Sequence, residues 1–175
     1  NMSEGRDYIT VLSLKKMRPH LQDWATDAGA QWHTKGYDEG LTLEEAARVF
    51  GERFPDMVFY RDRWTKETYK GGDGKMRELE EHLIVTYSHK YALYQRKTRA
   101  EQIARAQTRI GRGESCRPKS PNDCRRLIRT VSATADGEPA EHAISEIDWE
   151  KVYAEERFDG FYAYGTSLDD HPLDI

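Results

Sequence analysis

His82-Leu83-Ile84-Val85-Thr86-Tyr87-Ser88 runs without interruption into a stretch from about Lys90 to Ile110 that is rich in Ala, Gln, Arg and Glu. The first seven residues are β-branched and aromatic, which suits a strand. The stretch that follows is built of good helix formers, so the pair reads as one strand feeding one long helix. Gly111, Gly113 and Pro118 supply the stop.

Working outward, the elements alternate. Tyr8 to Leu14 reads as a strand, followed by the basic pair Lys15-Lys16. Thr42-x-x-Glu45 is a capping-box signature, opening an amphipathic helix through Ala46, Ala47, Val49 and Phe50 that ends near Pro55. Met57 to Trp64 reads as a second strand, and Gly71 to Gly74 as a turn with a loop tip. Arg126 to Ala133 reads as a strand, Asp136-Gly137 with Pro139 as a turn, and Asp148 as the N-cap of a short helix through Trp149, Val152 and Tyr153. Phe161 to Thr166 closes the series as a strand. The expectation is a mixed α/β chain forming one domain over residues 1–175.

Charge says more about partners than about fold. Between His89 and Arg129 stand twelve Lys or Arg against three acids, a local +9 inside a chain of net −4, which leaves −13 for the remainder. Arg96 and Arg99 are three apart, and Arg105, Arg109 and Arg112 recur at four and three, spacings that line up along a helix side. Such a stripe can neutralise phosphates; a solvated face balanced by acids elsewhere is the competing account. No apolar run approaches the roughly 18 residues of a membrane span, and a cytoplasmic protein is expected. Cys116 and Cys124 lack the further ligands of a zinc site and read as two thiols.

Other candidate chemistry is weaker. Asp169-Asp170-His171 has the donors for a divalent cation, but neighbouring side chains in an extended segment diverge, and a solvated turn before Pro172 is the better reading. Asp159-Gly160 offers a carboxylate at a strand edge, or simply a turn. There is no Gly-x-Gly-x-x-Gly motif, no P-loop and no Gly-x-Ser-x-Gly elbow.

Three blocks carry a family resemblance. Arg157-Phe158-Asp159-Gly160-Phe161-Tyr162-Ala163-Tyr164-Gly165-Thr166-Ser167-Leu168 resembles the (K/R)-F-D-G-F-Y-A-(I/V)-x-T-N-L block of bacterial insertion-sequence transposases of the DDE class. Glu81 to Ala92, with Gln95 to Ile103 after it, is similar to that family's E-x-x-I-V-x-Y-S-x-K-Y-A and D-R-x-x-R-E-x-x-I stretches. Tyr8-Ile9-Thr10-Val11 resembles the strand after the second catalytic aspartate. Between residues 16 and 80 the similarity is loose, and Ser167 replaces the family's Asn.

The resemblance implies strands of an RNase H-like core plus an insertion region, about 57–135, that holds the long basic helix. It implies DNA transposition and recombination as the family activity, with magnesium or manganese held by three carboxylates. No position of this chain matches any of the three, and Asp7 lacks the family's preceding context. The expectation is therefore a transposase fragment without catalytic residues, metal or other cofactor, inactive on its own. Its expected partners are the DNA backbone, through Arg96, Arg99, Arg105, Arg109, Arg125 and Arg126, and a second copy in self-association. Two alternatives are a stand-alone non-catalytic DNA-binding or assembly protein, and a metal-dependent nuclease using Asp159, Asp169 and Asp170.

Overall fold

A computed structural model describes residues 7–133 and 139–168. The chain divides into two compact units, residues 1–92 with 160–175, and residues 93–159, where its sequence reads as a single domain. The class is mixed α and β, as expected.

The first unit is built on strands β1 (Ile9–Leu12), β2 (Trp32–Thr34), β3 (Tyr37–Leu41), β4 (Val58–Lys70) and β5 (Met76–Ser88), with helices α1 (Pro19–Ala25) and α2 (Leu43–Phe50) between them. Helix α3 (His89–Gly111) leaves β5 without a loop, so the strand-into-helix reading holds. The second unit takes up the rest of α3, then β6 (Ile128–Ala133), β7 (Pro139–Ile147) and α4 (Trp149–Glu156). Strand β8 (Phe161–Thr166) returns to the first unit, whose six-stranded sheet has the order β1-β8-β5-β4-β2-β3, antiparallel at every pairing.

Alternation decides which face of that sheet is buried. Phe59 on β4, Leu83, Val85 and Tyr87 on β5, and Ala163 on β8 point to one side and are buried. Trp32, 1% exposed, lies 5.7 Å from Phe161 ring to ring and donates its indole N–H to the Asp27 carbonyl at 3.0 Å. Leu14, Leu21, Ala25, Leu43, Ala46 and Phe54, from the helical segments, complete the core. Arg61 spreads its guanidinium over Trp24 at 4.4 Å and donates to the Trp24 carbonyl; burial lowers its pKa.

The capping box is present in both directions. Glu45 N–H donates to Thr42 Oγ1 at 3.2 Å, and Thr42 N–H donates to the Glu45 carboxylate at 2.9 Å. Pro19 opens α1 at its first turn, where its missing N–H costs nothing. A two-residue turn, Lys35-Gly36 with Gly36 at φ 77°, joins β2 to β3.

In the second unit a small core gathers Ala106, Cys124, Leu127, Ile147 and Val152. Helix α3 ends in a paired cap: Gly113, at φ 64°, donates to the Ile110 carbonyl, and Glu114 N–H donates to that of Arg109. Asp148 caps α4 by accepting from Lys151 N–H at 3.1 Å, as its position suggests. The strand read from Arg126 starts instead at Ile128. Asp123 accepts the backbone N–H of Arg125 at 3.0 Å and folds Cys124–Leu127 into a 3-10 turn. Pro139, read as part of a turn, opens β7.

Candidate nucleic-acid interface

An α-helix turns about 100° per residue, so residues seven apart share a side. Ala92, Arg99 and Ala106 are spaced by seven and are all buried, at 0%, 7% and 0% exposure. Arg99 therefore sits on the inner stripe of α3, among two alanines. A buried guanidinium has to be paired. Arg99 Nη2 donates to Asp159 Oδ1, and its Nη1 reaches Glu156 Oε1 at 3.4 Å. The Asp159 side chain is only 3% exposed; its second oxygen has no hydrogen-bond donor, and Arg96 Nε lies 3.7 Å away from it.

The remaining arginines divide in the same way. Arg125, 8% exposed, is paired with Asp123 at 3.1 Å. Arg126 forms a fork on Glu155, at 2.9 and 3.2 Å, and also donates to Gln102 at 2.7 Å. Arg109 pairs with Glu114 at 2.5 Å, and its pKa is raised, first by a hydrogen bond with Cys124 and then by Glu114. Arg105 is exposed and has no ion-pair partner among the described residues. Arg96 is also outward, but nine positions from Arg105 and hence on the opposite side of the helix.

The six arginines thus do not form one solvent-facing surface. Arg99 and Arg125 are internal, because each fills a place where the unit needs a cation against a buried carboxylate. Besides Arg96, the outward cations of α3 in the second unit are Lys97 and Arg105, which fall within one broad arc together with Glu101; Arg112 follows the end of the helix and pairs with Glu114 at 3.7 Å. Sequence spacing alone did not expose this, although the seven-residue repeat of Ala92, Arg99 and Ala106 carries the signal.

Asp123 is held down to about 2, first by the backbone N–H of Arg125, then by that of Lys119 and by the Arg125 charge. Cys116 and Cys124 are free thiols; Cys116 contacts the Ser145 hydroxyl at 3.4 Å. Among the described residues no three His, Cys, Asp or Glu side chains gather as a metal site. Asp159, read as a possible ligand, is committed to arginine; Asp169, Asp170 and His171 lie outside the described residues.

A groove of about 370 Å³ in the first unit is lined by Leu12, Lys16, Leu21, Thr65, Glu81 and Leu83, among others. The Tyr8 hydroxyl already donates to the Glu81 carboxylate at 3.0 Å. Burial, with Glu81 beside it, pushes the Tyr8 pKa up to about 12.

Comparison with protein-family models, curated proteins and solved structures returned no match. The geometry of the motif residues therefore bears the functional argument. Gly160, next to Asp159, has φ 84°, and a Cβ there would lie 2.7 Å from Tyr87 Cε2 and 2.8 Å from the Ser88 carbonyl oxygen. Only glycine fits this corner. Tyr8–Val11, Glu81–Ala92 and Arg157–Leu168 are distant in sequence, yet their strands are the neighbours β1-β8-β5.

Proposed function

We propose that the chain is part of an insertion-sequence transposase of the DDE class, comprising RNase H-like core strands and an insertion region that contacts the DNA backbone in transposition. One observation carries the reading: residues of separate resembling blocks meet each other. Asp159, from the Phe-Asp-Gly block, receives Arg99 and lies beside Arg96, both from the helix block. The strands of the same blocks pair as β1-β8 and β5-β8. A chance likeness of short motifs has no reason to place them in mutual contact.

The DNA contact belongs to the outward cations Lys97 and Arg105, since Arg99, Arg109, Arg112, Arg125 and Arg126 already hold acids. About two neutralised phosphates give a log-log salt slope near −2, from roughly 0.9 per phosphate. Phosphate contacts carry no sequence information, so binding is expected to be weak and indifferent to sequence. The test is fluorescence anisotropy with random duplex DNA from low to physiological salt. Lys97→Ala/Arg105→Ala is expected to flatten the slope by about 2. An unchanged slope returns α3 to a solvated face.

A stand-alone assembly protein is the second reading, and one observation favours it. Edge strand β1 exposes Ile9 and Val11 at 63% and 67% and carries no charge or proline to discourage pairing. A sedimentation experiment that shows a stable dimer together with no DNA affinity would select it.

A further inference from the structure

Arg61 and Arg63 lie two apart on β4, so their side chains leave the same face of the sheet. Opposite them on β5 stand Val85 and Leu83, so neither arginine meets an acid across the strand pair. Both are drawn to one indole instead. The Arg61 guanidinium carbon lies 4.4 Å from the Trp24 ring centre and 5.5 Å from that of Trp32, and the Arg63 carbon lies 5.5 Å from Trp24.

The two cations lack counter-ions. Arg61 gives one N–H to the Trp24 carbonyl at 3.1 Å. Its other N–H groups, and all of those on Arg63, have no acceptor among the described residues. By contrast Arg99, Arg109, Arg125 and Arg126 of the second unit each hold a carboxylate. Asp23 and Asp27, on either side of Trp24, are both exposed, and Asp27 accepts the Gly29 N–H at 3.0 Å. Burial lowers the Arg61 pKa; Asp27 opposes this, and the charge of Arg63 adds to it. Aromatic faces replace the lost hydration of a half-buried guanidinium only in part, so the spot is short of negative charge.

We propose that Arg61 and Arg63, gathered around Trp24, form an oxyanion site that takes a phosphate group. A guanidinium fork matches phosphate oxygens, and its stacking on the indole holds the Arg61 plane ready to donate. Arg63 is exposed, which leaves the site open to solvent. The phosphate is either a phosphodiester of the DNA backbone or a free phosphate. The site lies outside α3 and stands independently of the contact assigned to Lys97 and Arg105.

The test is NMR of the arginine Nε–Hε signals in the full chain, titrated with inorganic phosphate, with duplex DNA, and with chloride at matched ionic strength. Phosphate is expected to shift the Arg61 and Arg63 signals saturably, and chloride to leave them in place. Arg63→Ala, at an exposed position, is expected to weaken phosphate binding by about tenfold, with amide signals away from β4 and α1 unchanged. Arg61→Lys keeps the charge without the fork and is expected to weaken it as well. Equal shifts with phosphate and chloride, or full phosphate affinity in Arg63→Ala, overturn the site. DNA that moves both signals, with a salt slope flatter by about 1 in Arg63→Ala, supports the site with the DNA backbone as its source. Shifts with phosphate but not with DNA support the site with free phosphate as its source. Loss of DNA binding in Lys97→Ala/Arg105→Ala with the phosphate shifts intact supports the independence of the site from α3.

Discussion

Arg99 and Asp159 stand sixty residues apart and form the most deeply buried ion pair described. Removing one partner of such a pair strands the other charge in a poorly solvated place. Arg99→Ala and Asp159→Ala are each expected to cost about 3–5 kcal/mol in urea unfolding. Arg99→Met/Asp159→Leu, which removes both charges and keeps the volume, should cost less than either single change. A double variant as unstable as the sum of the singles would show that hydrogen bonding to Glu156 and packing dominate, rather than the uncompensated charge. Gly160 is the adjoining constraint. Gly160→Ala combines a left-handed conformation, about 1–2 kcal/mol, with overpacking against Tyr87, Ser88 and Ala92, about 1–3 kcal/mol. A loss below about 1 kcal/mol would mean that the chain reversal before β8 shifts to accommodate the methyl.

At the scale of elements, the capping box of α2 gives a compact test. Thr42→Ala removes the acceptor for Glu45 N–H and should cost about 1 kcal/mol, read as a shifted urea midpoint with unchanged slope. This feature was legible because both residues act locally, as were Asp148 at α4 and the step from β5 into α3. Elements whose shape depends on distant partners were not legible. The β2–β3 hairpin is short, and its key residue Trp32 is fixed by Phe161 and Tyr87 from far along the chain. Helix α1 has seven residues, too few for a periodic signal. Strand β7 begins at a proline, which reads as a turn unless the partner strand β6 is known. The candidate interface failed for a related reason. Spacing gives the side of a helix, but only the positions of Asp159, Asp123, Glu155 and Glu114 show which arginines face inward.

At the scale of the whole molecule, the sharp charge asymmetry of the sequence dissolves on folding. The second unit contains thirteen Lys or Arg and twelve Asp or Glu, a net +1 where its part of the basic segment, residues 93–129, alone carries +8. The acids that balance it come from its own later half, as Glu146, Glu155 and Asp159 show. Acid should therefore loosen this unit by discharging its carboxylates, and Asp123 marks the lower end of the range. Its pKa falls from an ordinary 3.8 to about 2 in the fold, so its stabilisation is complete above about pH 4 and is lost as pH falls through about 2. Asp123→Asn keeps one acceptor oxygen but not the charge, and should be less stable than the parent at pH 5. The gap is expected to close between pH 4 and 2, read by urea unfolding followed with far-UV circular dichroism. A gap that stays constant across that range would assign the role of Asp123 to hydrogen-bond geometry alone. The charge on Arg125 would then have to be balanced by a carboxylate other than its nearest one.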